Sequence, residues 1–133
     1  MKNLTKAERQ QRNARRRANR QRMQQKEFEM GEYCANVFEK MELSYGKVVG
    51  TEYRKKCNGT DVYTFTEEER TRFKSPKMRD MLFNLINNVI EDDSWHHFKY
   101  QLYDGVSEDD AYYLDWYVEV TQNYAKVEWS VTE

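Results

Sequence analysis

Residues 113–131 read YLDWYVEVTQNYAKVEWSV, and apolar and polar positions alternate on both sides of Gln122-Asn123. A period of two is the signature of a half-buried strand, and a short polar break between two such runs makes a hairpin. Closing the turn at Gln122-Asn123 sets Val120 opposite Ala125, Val118 opposite Val127, Trp116 opposite Trp129 and Leu114 opposite Val131. Every inward residue then meets an inward residue. A slip of one position would turn one whole apolar set to water, so the pattern itself selects the register. On the other face Glu119 lands opposite Lys126, a favourable cross-strand pair.

Working outward from this hairpin, Asp104-Gly105 reads as a turn, and 97–103 alternates with Phe98, Tyr100 and Leu102 on one face, as a further strand would. Ser107-Glu108-Asp109-Asp110 has capping-box character, which offers a short helix over 108–114 as a rival to an early start of the strand. Upstream, Ser75-Pro76 is a helix start, because Ser caps the free N–H groups and Pro at the first position has no N–H to lose. Met78, Met81, Leu82, Leu85, Ile86, Val89 and Ile90 follow as an apolar stripe at helical spacing, and Glu91-Asp92-Asp93 is expected to end it. Residues 28–43 form a second amphipathic pattern, with Met30, Cys34, Val37, Phe38 and Met41 on one side. Between these helices Asn58-Gly59 reads as a tight turn joining a strand at Lys47–Tyr53 to one at Asp61–Thr66. Glu67-Glu68-Glu69 before Arg70 and Arg72 reads as an exposed charged connection.

These elements predict an α+β domain, an antiparallel sheet of about four or five strands packed with two helices. The domain occupies 28–133. Residues 1–27 are of a different composition. They contain ten Lys and Arg (Lys2, Lys6, Arg9, Arg12, Arg15, Arg16, Arg17, Arg20, Arg22 and Lys26) against Glu8 and Glu27, a net charge of +8. Residues 28–133 carry twelve basic and twenty-one acidic side chains, a net −9, so the overall −1 conceals two opposed segments. Without aromatic residues the arm cannot bury enough surface to fold alone, yet its helix propensity is good. It is therefore expected to be helical or disordered according to its surroundings. Wound as a helix, it gathers Lys2, Arg9, Arg12, Arg16 and Arg20 into one stripe and keeps Ala7, Gln11, Ala14, Ala18, Gln21 and Gln25 on the other side.

Guanidinium groups bind phosphate bidentately and stay charged at physiological pH. Neutralising phosphates releases counterions and drives binding without regard to sequence. The arm thus points to nucleic acid, with RNA somewhat ahead of DNA because arginine-rich segments commonly fold on RNA. The competing readings are an acidic protein surface and self-association. Membrane insertion is disfavoured by the lack of large apolar residues. A second candidate surface is the outer face of the 113–131 hairpin, where Asp115, Tyr117, Glu119, Tyr124 and Glu128, with Tyr113, alternate aromatic and acidic side chains. Such a face suits a protein with a basic groove, through tyrosine anchors or by imitating nucleic-acid charge. The plainer alternative is that these strands pack on both faces, with the tyrosines partly in the core.

Other constellations carry less. Asp92-Asp93-Ser94-Trp95-His96-His97 invites a metal site, but adjacent His residues on a strand point to opposite faces. Cys34 sits on an apolar helix face and Cys57 beside the expected turn, neither with a His or acid at a catalytic spacing. Asn58-Gly59-Thr60 is a glycosylation acceptor on paper only. No P-loop, dinucleotide fingerprint, zinc-finger spacing or Ser/His/Asp pattern occurs. The expectation is a non-catalytic protein without cofactor or metal. Two cysteines, no apolar stretch after the basic start and no membrane-length run favour the cytoplasm, a mitochondrial leader being a poor match because Gln and Asn stand where Ser and an apolar face belong.

A short chain with an arm reading Arg9-Gln10-Gln11-Arg12-Asn13-Ala14-Arg15-Arg16-Arg17 ahead of a Tyr-rich acidic α+β domain resembles small phage-encoded inhibitors of bacterial defence, the anti-CRISPR proteins among them. The likeness is one of organisation. It implies a nucleoprotein target such as an RNA-guided nuclease, and it assigns no role to any residue.

Overall fold

The computed structural model describes residues 4–48, 56–98, 104–107 and 111–132. Contacts divide the chain into two compact units, 1–33 and 34–133. The boundary falls inside a single helix, α1 (Lys6–Met41), so the basic arm and the predicted helix over 28–43 are one element of 36 residues. At its start the Thr5 hydroxyl accepts from the Glu8 N–H at 3.2 Å, which serves one of the donors a helix N-terminus leaves open, and the Thr5 carbonyl takes the first helical bond, from the Arg9 N–H at 3.0 Å. At the other end Glu42 takes a left-handed φ of 46°, the usual way to stop a helix although Gly or Asn more often does it.

In the second unit three strands form an antiparallel sheet in the order β1-β3-β2, with β1 Cys57–Thr64, β2 Tyr113–Val120 and β3 Tyr124–Thr132. The β2–β3 register pairs Val120 with Ala125, Val118 with Val127, Trp116 with Trp129 and Leu114 with Val131, as the alternation requires. On the inward face Leu114, Val118, Ala125, Val127, Trp129 and Val131 are buried. Two further helices follow β1. In α3 (Pro76–His97), Ser75 Oγ accepts from the Met78 N–H, and Met78, Leu82, Ile86 and Ile90 are buried along the predicted stripe. This helix packs on β2, where the Trp116 indole N–H donates to Asn87 Oδ1 at 3.0 Å.

The departures from expectation have physical causes. Asn58-Gly59 is not a turn but the start of β1, and β1 pairs with β3. Ser44–Lys47 is instead a short 3-10 turn, and 49–53 lie outside the described residues. The reason Gly stands at 59 is a ring: a Cβ there would come within 2.6 Å of Trp129 Cζ2, and Gly59 is the register partner of Trp129. Cys57, placed beside a turn by the sequence, is therefore in a strand. Glu67 and Glu68 are exposed as expected, but Glu67-Glu68-Glu69 is more than a connection. It opens a short helix, α2 (Glu67–Arg72), with Thr66 and Glu69 bonded reciprocally as a capping box, and Glu69 is 2% exposed. The acidic triplet 91–93 does not end α3, since Ser94 is buried and carries the apolar side one turn further to His97. His97 is thus helical rather than the start of a strand, Phe98 is its buried C-cap, and 99–103 lie outside the described residues. The rival helix over 108–114 fails at its end, because Tyr113 and Leu114 belong to β2, while 108–110 are not described. Asp104-Gly105 does turn, with Gly105 at φ 88°. Among the described residues there are three strands rather than four or five, and no helix is long and apolar enough to cross a membrane.

Candidate nucleic-acid and protein-binding surfaces

Lys6, Arg9, Arg12, Arg15, Arg16, Arg17, Arg20, Arg22 and Lys26 all lie on α1 and are exposed, while Lys2 is outside the described residues. Arg22 is held by its neighbour one turn back, the Asn19 side-chain oxygen. No carboxylate among the described residues pairs with Arg9, Arg12, Arg15, Arg16, Arg17 or Arg20. At 100° per residue Arg9, Arg12, Arg16 and Arg20 fall within a narrow arc, and the helix repeats this stripe once per turn, about 5.4 Å. The cause is local: Ala, Gln and Arg are strong helix formers, and no Gly or Pro interrupts 4–30. Met23 in the arm and Phe28 just beyond it are large apolar side chains left in water, exposed at 63% and 62%.

Asp115, Tyr117, Glu119, Tyr124 and Glu128 share the outward face of the sheet. Across β3, β1 adds Asn58, Thr60, Val62 and Thr64 to it, all exposed, in rows set by the register: Thr60–Glu128–Tyr117 and Val62–Lys126–Glu119. The two ends of the face differ. Near the hairpin turn the polar groups satisfy one another. Tyr124 Oη donates to Glu119 Oε1 at 2.7 Å, and Lys126 Nζ lies 3.6 Å from Glu119 and 3.1 Å from Glu128. The Glu119 hydrogen bond raises the Tyr124 hydroxyl pKa, and Glu128 does the same for the Lys126 ammonium, so both keep their protons. Toward the other end the face opens into a trough of about 500 Å³ lined by residues 58–60, 115–117 and 128–130. There Tyr117 is 57% exposed, and Asp115 has no hydrogen bond or ion pair among the described residues.

The opposite side of the sheet shows why this face is free. β1 turns Cys57, Gly59, Asp61 and Tyr63 inward, small or polar residues that build no apolar core alone. The space is filled from elsewhere. The Trp129 indole lies over Gly59 and donates to Ser44 Oγ at 2.9 Å, and Ser44 donates from Oγ at 2.7 Å and from its backbone N–H at 3.0 Å to Asp61. The Tyr63 hydroxyl donates to Glu69, and Tyr45, itself buried, donates to Asp93 Oδ2 at 2.6 Å. No buried side-chain polar atom of the described residues lacks a partner. On the other face Tyr117 is exposed, while Tyr113 and Tyr124 are half-buried.

His96 and His97 lie on α3 rather than on a strand, where His96 Nε2 is 3.4 Å from Asp92. Neighbouring helical positions diverge by about 100°, and no group of three metal-ligating side chains is found among the described residues. Cys34 is fully buried, its thiol pushed from 9.0 to about 11 by burial, and Cys34 and Cys57 are both free thiols. Burial of this kind makes a thiol inert. Buried Glu69 and the ring that fixes Gly59 were the features sequence reasoning missed. The Thr66-x-x-Glu69 spacing was the available signal for the first. No family model matches the chain, and comparison with curated proteins and with solved structures finds no match.

Proposed function

We propose that this chain is a non-catalytic nucleic-acid-binding protein whose helical arm engages sugar-phosphate backbone, in free RNA or DNA or in a nucleoprotein. The observation that supports the reading most directly is the run of exposed arginines on α1 with no carboxylate partner among the described residues. Protein guanidinium groups without a counter-charge are held at a cost in repulsion, which phosphate removes. The arm has no aromatic residue before Phe28 to stack on bases, and its cations spread over more than half the helix circumference, so contact with phosphate rather than base edges is expected. The tyrosines of the sheet are poor base-stacking platforms, because Asp115, Glu119 and Glu128 stand among them and repel phosphate.

The test is the salt dependence of binding to a duplex DNA and to an RNA hairpin. It compares the native chain with a variant in which Arg9, Arg12, Arg16 and Arg20 are replaced by Gln. Glutamine keeps helix propensity, so circular dichroism should be unchanged while affinity drops. The slope of log K against log salt should shallow by about 0.7–0.9 per lost phosphate contact. Equal affinity and slope for the two proteins would refute the proposal.

A further inference from the structure

The outer sheet face bears three carboxylates, Asp115, Glu119 and Glu128, against one cation, Lys126. Glu119 and Glu128 are partly neutralised by that lysine, whereas Asp115 is left exposed at the mouth of the trough. Tyr117 is two residues along the same strand, so its ring stands on the same side about 7 Å away. Glu128 is its cross-strand neighbour, and the Thr60 hydroxyl and Asn58 amide form the far wall. An exposed tyrosine ring between two carboxylates fits a guanidinium better than any other common group. The plane stacks on the ring while the edge donates two parallel hydrogen bonds to a carboxylate, a geometry an ammonium cannot reproduce.

We infer that this trough receives an arginine from the basic arm of a second copy of the chain, so that the protein associates with itself through arm-to-sheet contacts. Charge complementarity selects this occupant. The arm carries +8 with six arginines unpaired among its described residues, and 28–133 carries −9. Each copy lends one arm and takes one, which satisfies both surfaces and closes as a two-fold pair. Phosphate and the trough then compete for the same guanidinium groups. By linkage, nucleic acid that binds the arm dissolves the association, and association weakens nucleic-acid binding by the same factor.

Sedimentation velocity on the full chain, freed of nucleic acid, measures this across protein concentrations in low and high salt. Association is expected at low salt, with loss at high salt as exposed charges are screened. Asp115→Lys should weaken it about tenfold or more, and Tyr117→Ala, an exposed ring, should weaken it without touching the core. Replacing Arg12, Arg16 and Arg20 by Lys, which keeps the charge but loses the planar fork, should also weaken it. A single monomeric species at every concentration in low salt would overturn the inference, as would association indifferent to Asp115→Lys. Concentration-independent cross-linking of Asp115 to an arm lysine within one chain would overturn it too. The nucleic-acid proposal is read separately, from phosphate affinity of the arm, and survives any of these results.

Discussion

Replacing Gly59 by alanine tests the packing that holds β1 to the rest of the sheet. The added Cβ would lie 2.6, 2.7 and 2.8 Å from three atoms of the Trp129 indole, well inside any real carbon contact. That ring is 7% exposed and its N–H is bonded to Ser44 Oγ, so it cannot swing aside freely. Overpacking of this kind costs about 1–3 kcal/mol. Losing the indole–Ser44 bond adds about 0.5–1.5 kcal/mol. Against this, alanine in a strand gains roughly 0.5–1 kcal/mol over glycine through the unfolded chain. The net is a loss of about 0.5–4 kcal/mol, and with a urea m-value of roughly 1.5 kcal/mol/M the midpoint should fall by about 0.3–2.7 M. Equilibrium unfolding followed by tryptophan fluorescence measures it. The clash has a named partner, so the cost should largely vanish in a Trp129→Leu background, a coupling of at least about 1 kcal/mol in a double-mutant cycle. An alanine variant as stable as the native chain, or an equal cost with and without the indole, would refute the argument that Gly59 is there for Trp129.

Two other perturbations follow from single sites. Glu69→Ala removes the side chain that accepts from the Thr66 N–H at 2.9 Å and from the Tyr63 hydroxyl at 2.9 and 3.1 Å, and that lies 3.8 Å from Lys40. Loss of a cap and of a buried charged acceptor should cost about 2–4 kcal/mol in thermal or chemical unfolding, and Glu69→Gln, which retains a carbonyl acceptor, less than half of that. Cys34 is held protonated by burial, with its folded value near 11 against 9.0 when free, so its contribution is fully present below pH 9 and disappears as pH rises through 11. Stability measured across this window should fall more steeply for the native chain than for Cys34→Ala, and iodoacetamide at neutral pH should reach Cys57 well before Cys34. Parallel alkaline profiles for the two proteins would count against the burial argument.

Where the chain alternates or repeats on its own, the fold was legible from residues alone. The 113–131 hairpin came out in register because both strands bury one face against the same core, and a slipped pairing would expose Val118 and Val127 together. The α3 stripe was legible for the same reason, and the five outward residues of the hairpin follow from its register without further information. Only the second half of β1 was legible: 61–64 fall within the expected strand at Asp61–Thr66, whereas 57–60 read as a turn, because the inward residues of the strand are Cys57, Gly59, Asp61 and Tyr63. Their suitability depends on Trp129, Ser44 and Glu69, which lie 70, 15 and 6 residues from Gly59, Gly59 and Tyr63 respectively. An Asn-Gly pair beside polar residues has the local chemistry of a turn, and only a distant ring converts it into a strand. The burial of Glu69 is hidden from the sequence in the same way. A glutamate in a run of charges is usually solvated, and what buries this one is a hydroxyl contributed by the neighbouring strand. The shallow trough required all three strands to be in place, so the third of its lining that β1 supplies could not be assembled from the hairpin alone.

The two charged surfaces constrain one another. On the proposed function, a nucleic acid bound by the arm would gain nothing from a face bearing Asp115, Glu119 and Glu128, because carboxylates raise the energy of nearby phosphate. On that reading the acidic face would subtract from affinity unless it has a task of its own, and its charge asymmetry along β2 and β3 suggests where that task lies. The end holding Tyr124, Glu119 and Lys126 is internally bonded and offers little to a ligand. The end holding Asp115 and Tyr117 is not, and any cationic partner gains most by docking there. If the arm binds nucleic acid as proposed, Asp115→Asn should raise its affinity for duplex DNA at low salt, while Glu119→Gln, an equal change of charge at the bonded end, should change it less. Fluorescence anisotropy on the full chain separates the two. Equal effects would show that only the net charge of the face matters, and the division between its two ends would lose its functional meaning.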